Sequence, residues 1–266
     1  MDAFKNHLIS WELTPDGAPF FTPTSQLLPV RYNDTPAMLK IAFSNEERNG
    51  GALMVWWDGQ GAAKILAHDG DALLLERAMG KESLVTMAKQ QDDMASRILC
   101  IVASQLHTPR NKPLPPTLVP LNHWFKGLDK AAIEYGGIFK QAADTAQHLL
   151  KSQQDIVVLH GDFHHGNILD FGAQGWLAID PKGLIGERGF DFANIFCNPG
   201  REIATKPGRL EQQVTLVSEM ARLDRSRLMQ WIFAYAGLSA AWHLEDGSDP
   251  QVAIDIAKIV LAIKAK

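Results

Sequence analysis

Cysteine is nearly absent from this chain: Cys100 and Cys197 stand alone, with no C-x-x-C pair. Two isolated thiols exclude a disulfide framework and a four-ligand zinc site, and they predict a reducing, cytoplasmic setting. Long apolar runs are missing as well. None approaches the roughly 18–20 residues that cross a bilayer, so no membrane partner is predicted. The stretch from Met1 to His7 lacks the charged-then-apolar pattern of a signal peptide. There is no basic excess: 26 Lys and Arg stand against 30 Asp and Glu, a formal net charge of −4. That argues against nucleic acid as a partner and is compatible with a small cationic substrate. Glycine-rich phosphate loops are lacking too. Gly59-Gln60-Gly61-Ala62-Ala63-Lys64 has neither the third glycine of a dinucleotide fingerprint nor a G-K-[ST] ending, and it reads as a turn. What is present is core: 46% of the 266 residues are hydrophobic, and the length fits one two-lobed unit or two small domains.

The first third reads as antiparallel strands. Alternation predicts strands over residues 9–13, 26–31, 37–42, 63–67 and 72–76, punctuated by turn signals such as Thr14-Pro15-Asp16-Gly17 and His68-Asp69-Gly70-Asp71. A helix is predicted over 44–57, with Ser44 as its N-cap and Glu46 and Glu47 in the first turn, where they suit the helix dipole. From about residue 83 the texture turns helical. Leu99, Val102, Ala103 and Leu106 repeat at helical spacing, and helices are predicted over 129–151, 208–224, 225–244 and 250–264. The proline-rich stretch 109–120 is a surface loop. Short strands at 156–159, 167–170 and 175–179 interrupt the helices. This order gives an α+β fold, with a small sheet-bearing lobe over 1–77 and a larger, mainly helical lobe over 78–266. A cleft between such lobes is a natural ligand site.

The densest polar cluster, residues 160–191, is set among apolar strands. Its first run is His160-Gly161-Asp162-Phe163-His164-His165-Gly166-Asn167. Phosphoryl transfer requires a carboxylate to orient and deprotonate the attacking hydroxyl, and oxygen ligands to hold Mg²⁺ on the phosphates. Asp162 suits the first task; Asn167 and Asp180 suit the second. The D-x4-N spacing matches a kinase catalytic loop.

The stretches LHGDFHHGNILDF and GWLAIDPKGLIGERGFDFANIF, with LLPVR, PAMLK, WWDGQGAA, LLLERA and GLSAAW, resemble the aminoglycoside phosphotransferase family. More narrowly, they resemble its streptomycin 6-phosphotransferase (aminoglycoside/hydroxyurea resistance kinase) branch, in which the kinase D-F-G becomes the Asp180-Pro181-Lys182-Gly183 seen here. The resemblance implies a protein-kinase-like two-lobed fold, ATP and Mg²⁺ as cofactors, and phosphorylation of a cationic antibiotic, streptomycin at its 6-hydroxyl. Carried over by position, Asp162 is the catalytic base and Asn167 and Asp180 are the Mg²⁺ ligands. Lys40 holds the α- and β-phosphates, and Glu47 pairs with Lys40, with Glu46 as the competing partner. Thr24 and Ser25 cap the phosphates where a glycine-rich loop would otherwise lie. Glu76 and Ala78, in the hinge Leu75-Glu76-Arg77-Ala78, offer backbone groups to adenine. Asp191 braces the catalytic loop.

Other residues keep two readings. Glu187 and Arg188 face substrate or brace the loop. Trp242, followed by Glu245 and Asp246, offers an aromatic face beside carboxylates for a guanidinium or ammonium group, or is simply a packed and solvated helix end. His160 is read as a loop-packing residue, and His164 and His165 as lining or flanking the site rather than binding metal. The rival functions are a kinase acting on an endogenous sugar or amino alcohol, a non-catalytic nucleotide-binding module, and a metal-dependent hydrolase built on the histidines.

Overall fold

The computed structural model describes residues 2–264, and its first element departs from expectation. Residues 9–13 do not form a strand. Helix α1 (Lys5–Ser10) runs into a turn at Trp11, and Phe4, Leu8 and Trp11 pack with Leu13 against Leu28, Val30, Leu39 and Leu74. Phe4 and Leu8, one helical turn apart, make a single apolar face, and its burial on the sheet overrides the local alternation.

Six strands follow: β1 (Thr14–Pro15), β2 (Phe20–Phe21), β3 (Ser25–Tyr32), β4 (Thr35–Ala42), β5 (Ile65–Asp69) and β6 (Ala72–Glu76). They form one antiparallel sheet in the order β1-β3-β4-β6-β5, with β2 also paired to β3. The period of two sorts the side chains cleanly. Leu28, Val30, Ala37, Leu39, Ala72 and Leu74 face the core beneath α1, whereas Leu27, Met38, Lys40, Leu73 and Leu75 face the opposite side. Lys40 is on a central strand, opposite Leu27 of β3 and Leu73 of β6. Helix α2 (Asn45–Trp57) lies over that second face, and the Ser44 hydroxyl caps it by accepting the Glu47 N–H at 3.2 Å.

The second lobe is helical: α3 (Leu84–Gln90), α4 (Asp92–Leu106), α5 (Leu121–Trp124) after the short β7 (Val119–Pro120), α6 (Lys126–Tyr135), α7 (Gly137–Lys151), α8 (Gly189–Asn194), α9 (Arg201–Ala204), α10 (Arg209–Ala221), α11 (Arg225–Glu245) and α12 (Gln251–Lys264). The single helix expected over 129–151 is two, broken where Gly136 takes a positive φ of 61°. Helix α11 is apolar on every side and runs through the middle of the lobe, burying Leu228, Trp231, Tyr235 and Leu238.

Four short strands carry the polar cluster: β8 (Ile156–Leu159), β9 (Ile168–Asp170), β10 (Trp176–Ala178) and β11 (Leu184–Glu187). β9 and β10 pair antiparallel, and β11 pairs antiparallel with β8 and parallel with β7. Pairing of β8 with β11 and of β9 with β10 brings the loop 160–167 alongside the loop 179–183.

Candidate active site

Those two loops are stitched together by main-chain hydrogen bonds. The Lys182 N–H donates to the His160 carbonyl (2.7 Å) and the Ile179 N–H to the Asn167 carbonyl (2.9 Å). His160 is fully buried; its Nδ1 accepts the Asp162 N–H (3.2 Å), so its Nε2 carries the proton donated to the Ile179 carbonyl at 2.8 Å. Burial pushes this imidazole below its ordinary pKa, which keeps it neutral. Asp191, on α8, braces the loop from behind. Its carboxylate accepts the backbone N–H groups of His160 (2.9 Å) and Gly161 (2.8 Å) and contacts His107 Nε2 at 2.8 Å.

Asp162 projects from this braced loop. Asn167 donates its side-chain N–H to the Asp162 carbonyl (2.8 Å) and to its Oδ2 (3.1 Å), which turns the Asn167 carbonyl oxygen away from Asp162. Asn194 donates to Oδ1 at 3.0 Å, and His164 Nε2 lies 3.6 Å from the same oxygen. Burial works to raise the Asp162 pKa, but His164 and Lys182 together outweigh it and hold the carboxyl below its ordinary value. Asp162 is therefore ionised at neutral pH.

Above the loops, Lys40 Nζ is bound to both Glu47 Oε2 and Asp180 Oδ1. Burial works against the charge on Asp180, but Lys40 prevails and keeps its carboxyl below the usual range. Thr24 Oγ1 donates to Glu47 Oε1 at 2.9 Å. Glu46, the competing partner, points instead to Lys182 Nζ at 2.8 Å. This contact requires α2 to press closely on the Asp-Pro-Lys-Gly turn, and Gly50 permits it: a Cβ at that position would stand 2.0 Å from the Pro181 carbonyl oxygen. Asp180 has a positive φ of 61°, uncommon for a residue with a side chain.

A cleft of about 380 Å³ opens between the lobes, walled by Leu27, Met38, Lys40, Glu47, Leu75, Glu76, Ala78, Phe171 and Asp180. A family model described as aminoglycoside/hydroxyurea antibiotic resistance kinase matches residues 10–247. The chain belongs to that family of kinases. It is 48% identical to the streptomycin 3″-kinase of Klebsiella pneumoniae, over 95% of this chain and 97% of that one. It is 30% identical to the streptomycin 6-kinase of Streptomyces glaucescens, over 95% and 84%. A solved structure of a thermostable mutant of the aminoglycoside phosphotransferase APH(4)-Ia, in ternary complex with ADP and hygromycin B, superposes with a TM-score of 0.69 at 13% identity, covering 98% of each chain. The fold is the protein-kinase-like two-lobed one.

In this resistance-kinase fold, Lys40, Glu47 and Asp180 line the cleft, while Asp162 and Asn167 stand together on the neighbouring loop that Asp191 braces. The remaining residues have other surroundings. Ser25 lines the cleft with its hydroxyl paired to Thr22 Oγ1 (2.8 Å), while the Thr24 hydroxyl is engaged with Glu47. Glu187 does not line this cleft. It is buried, with Arg227 (2.6 Å), Trp231 Nε1 (2.6 Å) and the Gln154 N–H (2.9 Å) filling its oxygens. Arg188 is likewise a brace, donating to Asp155 and to the carbonyls of Ala221 and Arg222. Trp242 packs edge-on against Trp124 and Tyr235, whereas Glu245 meets Lys130 in an exposed pair at 3.5 Å and the Asp246 N–H closes the end of α11. His164 flanks Asp162, but His165 turns inward, 1% exposed, with its imidazole pushed down to about 3 by burial. No cluster of metal-ligating side chains on the zinc pattern occurs among the described residues.

Sequence reading missed Lys182, Gly50 and Asn194. The signal for Asn194 was its place three residues after Asp191, on the same face of a helical turn.

Proposed function

We propose that this kinase transfers the γ-phosphoryl group of ATP to a hydroxyl of streptomycin. The observation that carries the reading is the ionised Asp162, held by amide donors on a braced loop beside the paired Lys40 and Asp180. The apolar walls Leu27, Met38, Leu75 and Phe171 suit a flat purine, and Glu76 adds a buried carboxylate oxygen, Oε2, with no hydrogen-bond partner among the described residues, ready to accept from a donor on the nucleotide. The donor set fits Mg²⁺, a hard cation that prefers oxygen: the Asp180 carboxylate and the side-chain carbonyl of Asn167. Bound there with the nucleotide, Mg²⁺ would neutralise phosphate charge.

The chain's own residues supply the rest. Lys40, kept in place by Glu47, offers a cation to the α- and β-phosphates. Asp162 orients the acceptor hydroxyl and takes its proton as the oxygen–phosphorus bond forms. Lys182, in contact with Glu46 and Glu47, adds positive potential over the transferring group. The resemblance of the motifs implied the 6-hydroxyl of streptomycin. The 48% identical relative is named a 3″-kinase, whereas the relative at 30% is a 6-kinase, and that difference supports the 3″-hydroxyl as the acceptor.

A coupled assay of ADP release, with streptomycin and kanamycin side by side, tests the substrate. Turnover should depend on streptomycin, and NMR of the product should place the phosphate at 3″. Phosphate at 6 would overturn the regiochemistry. Turnover with kanamycin alone would overturn the substrate. Asp162→Ala should lower turnover by about 10³-fold while nucleotide binding persists; activity surviving that change would overturn the mechanism.

A further inference from the structure

We infer that Asn194 is a positioning residue, whose side-chain N–H holds Oδ1 of Asp162 so that the carboxylate presents one fixed edge to the acceptor hydroxyl. The inference rests on the reading of Asp162 as the catalytic base. Asn194 is 3% exposed and ends α8, one turn beyond the brace Asp191. Its Nδ2 lies 3.0 Å from Asp162 Oδ1. Its amide orientation is not free: Asn198 Nδ2 donates to Asn194 Oδ1 at 2.8 Å and to the Asn194 carbonyl at 3.0 Å. With the oxygen committed to Asn198, the NH₂ group must face Asp162.

The carboxylate torsion of an aspartate is soft and roughly two-fold. Here each oxygen has its own amide donor, Asn194 on Oδ1 and Asn167 on Oδ2 at 3.1 Å. Rotation of the carboxylate would break both bonds at once. One helix thus serves the loop twice, with Asp191 fixing its backbone and Asn194 fixing the reactive side chain. Asn167 is shared with the proposed metal site, which leaves Asn194 as the donor whose one contact with the reacting groups is Asp162.

Steady-state kinetics on three variants test this, with ratios taken against the wild type for whichever acceptor supports its turnover. Failure of streptomycin as acceptor then counts against the proposed substrate and leaves these ratios readable. Asn194→Ala should lower kcat by about 30-fold, with KM for ATP and acceptor within about twofold, because the lost contact is felt where Asp162 acts. Asn194→Asp keeps the shape but turns an acceptor toward Asp162, and it should fall at least as far. Asn198→Ala releases the latch while sparing the donor, and it should lower kcat by about fivefold. A packing role predicts instead an Asn194→Asp enzyme close to wild type, or losses confined to KM and melting temperature. Either outcome overturns the inference, as does an Asn194→Ala kcat within threefold of wild type. If both Asn194 variants fail to fold, Asn198→Ala decides alone, and a wild-type kcat there overturns it.

Discussion

Two clusters in this molecule join buried carboxylates to cations, and they behave as opposites. Glu187 takes four donors, from Arg227, Trp231 and the Gln154 backbone, all within the helical lobe. Every direction its oxygens can accept from is filled. The Lys40 cluster draws on both lobes: Lys40 from β4, Glu47 from α2, Asp180 and Lys182 from the turn after β10. Its Asp180 side chain is 38% exposed to the cleft and sits on a left-handed backbone, so it has room for a new partner. Burial and ion pairing are therefore a weak guide to function by themselves. What separates a site from a brace is unsaturated valence at a surface that a ligand can reach.

That contrast can be broken at several points. Asp180→Ala should cost about 10³-fold in turnover, with the melting temperature nearly unchanged, since Lys40 keeps Glu47. Paired kinetics and thermal melts would read this, and a large loss of stability would mean that the cluster is a brace after all. Gly50→Ala attacks the same cluster from α2. The added methyl would meet the Pro181 carbonyl at 2.0 Å and force the helix away, and a displacement of that size should lower kcat by about 10²-fold. Glu187→Ala should do the reverse. It leaves Arg227 without its counter-charge, so stability should drop by about 3–5 kcal/mol, with kcat of the folded enzyme close to wild type. Denaturant melts with activity assays on the folded fraction check both halves. The smallest effect belongs to Glu46→Gln. Its pair with Lys182 is partly exposed, and about 0.2–1 kcal/mol of stability is at stake. A kcat loss beyond about threefold there would show that Glu46, and not only Glu47, belongs to the working cluster.

Most of the sheet was legible because its strands alternate on a period of two and the turns between them carry Gly, Asp and Pro. Helix α2 was legible from Ser44 and the acidic first turn. The failures share a cause. Residues 9–13 alternate like a strand, yet Phe4 and Leu8 bury a helical face on Leu28 and Leu39, a contact between segments 20 to 35 residues apart that local pattern does not encode. Strand β11 is four residues long with Gly186 in its middle, and it is held by pairing to β8 and β7 rather than by its own propensity. Thr24 and Ser25 were both read as phosphate-facing hydroxyls, and of the two it is Thr24 that gives its hydroxyl to Glu47. That pairing depends on the arrival of Glu47 from α2, which is not visible in the sequence.

By itself the sequence determined the chemistry available: a carboxylate and an amide five residues apart in one short loop, and a second carboxylate ahead of a Pro-Lys-Gly turn. Those spacings are local, and local chain geometry preserves them. Only the tertiary structure decided which groups meet. It chose Glu47 over Glu46 for Lys40 by the rotation of α2 against the Asp180 turn, a fit that Gly50 makes possible. It closed Glu187 into the helical lobe, and it brought Asn194 to Asp162. Each of these depends on the packing of elements distant in the chain, where a rotation of one helical residue, about 100°, changes the partner.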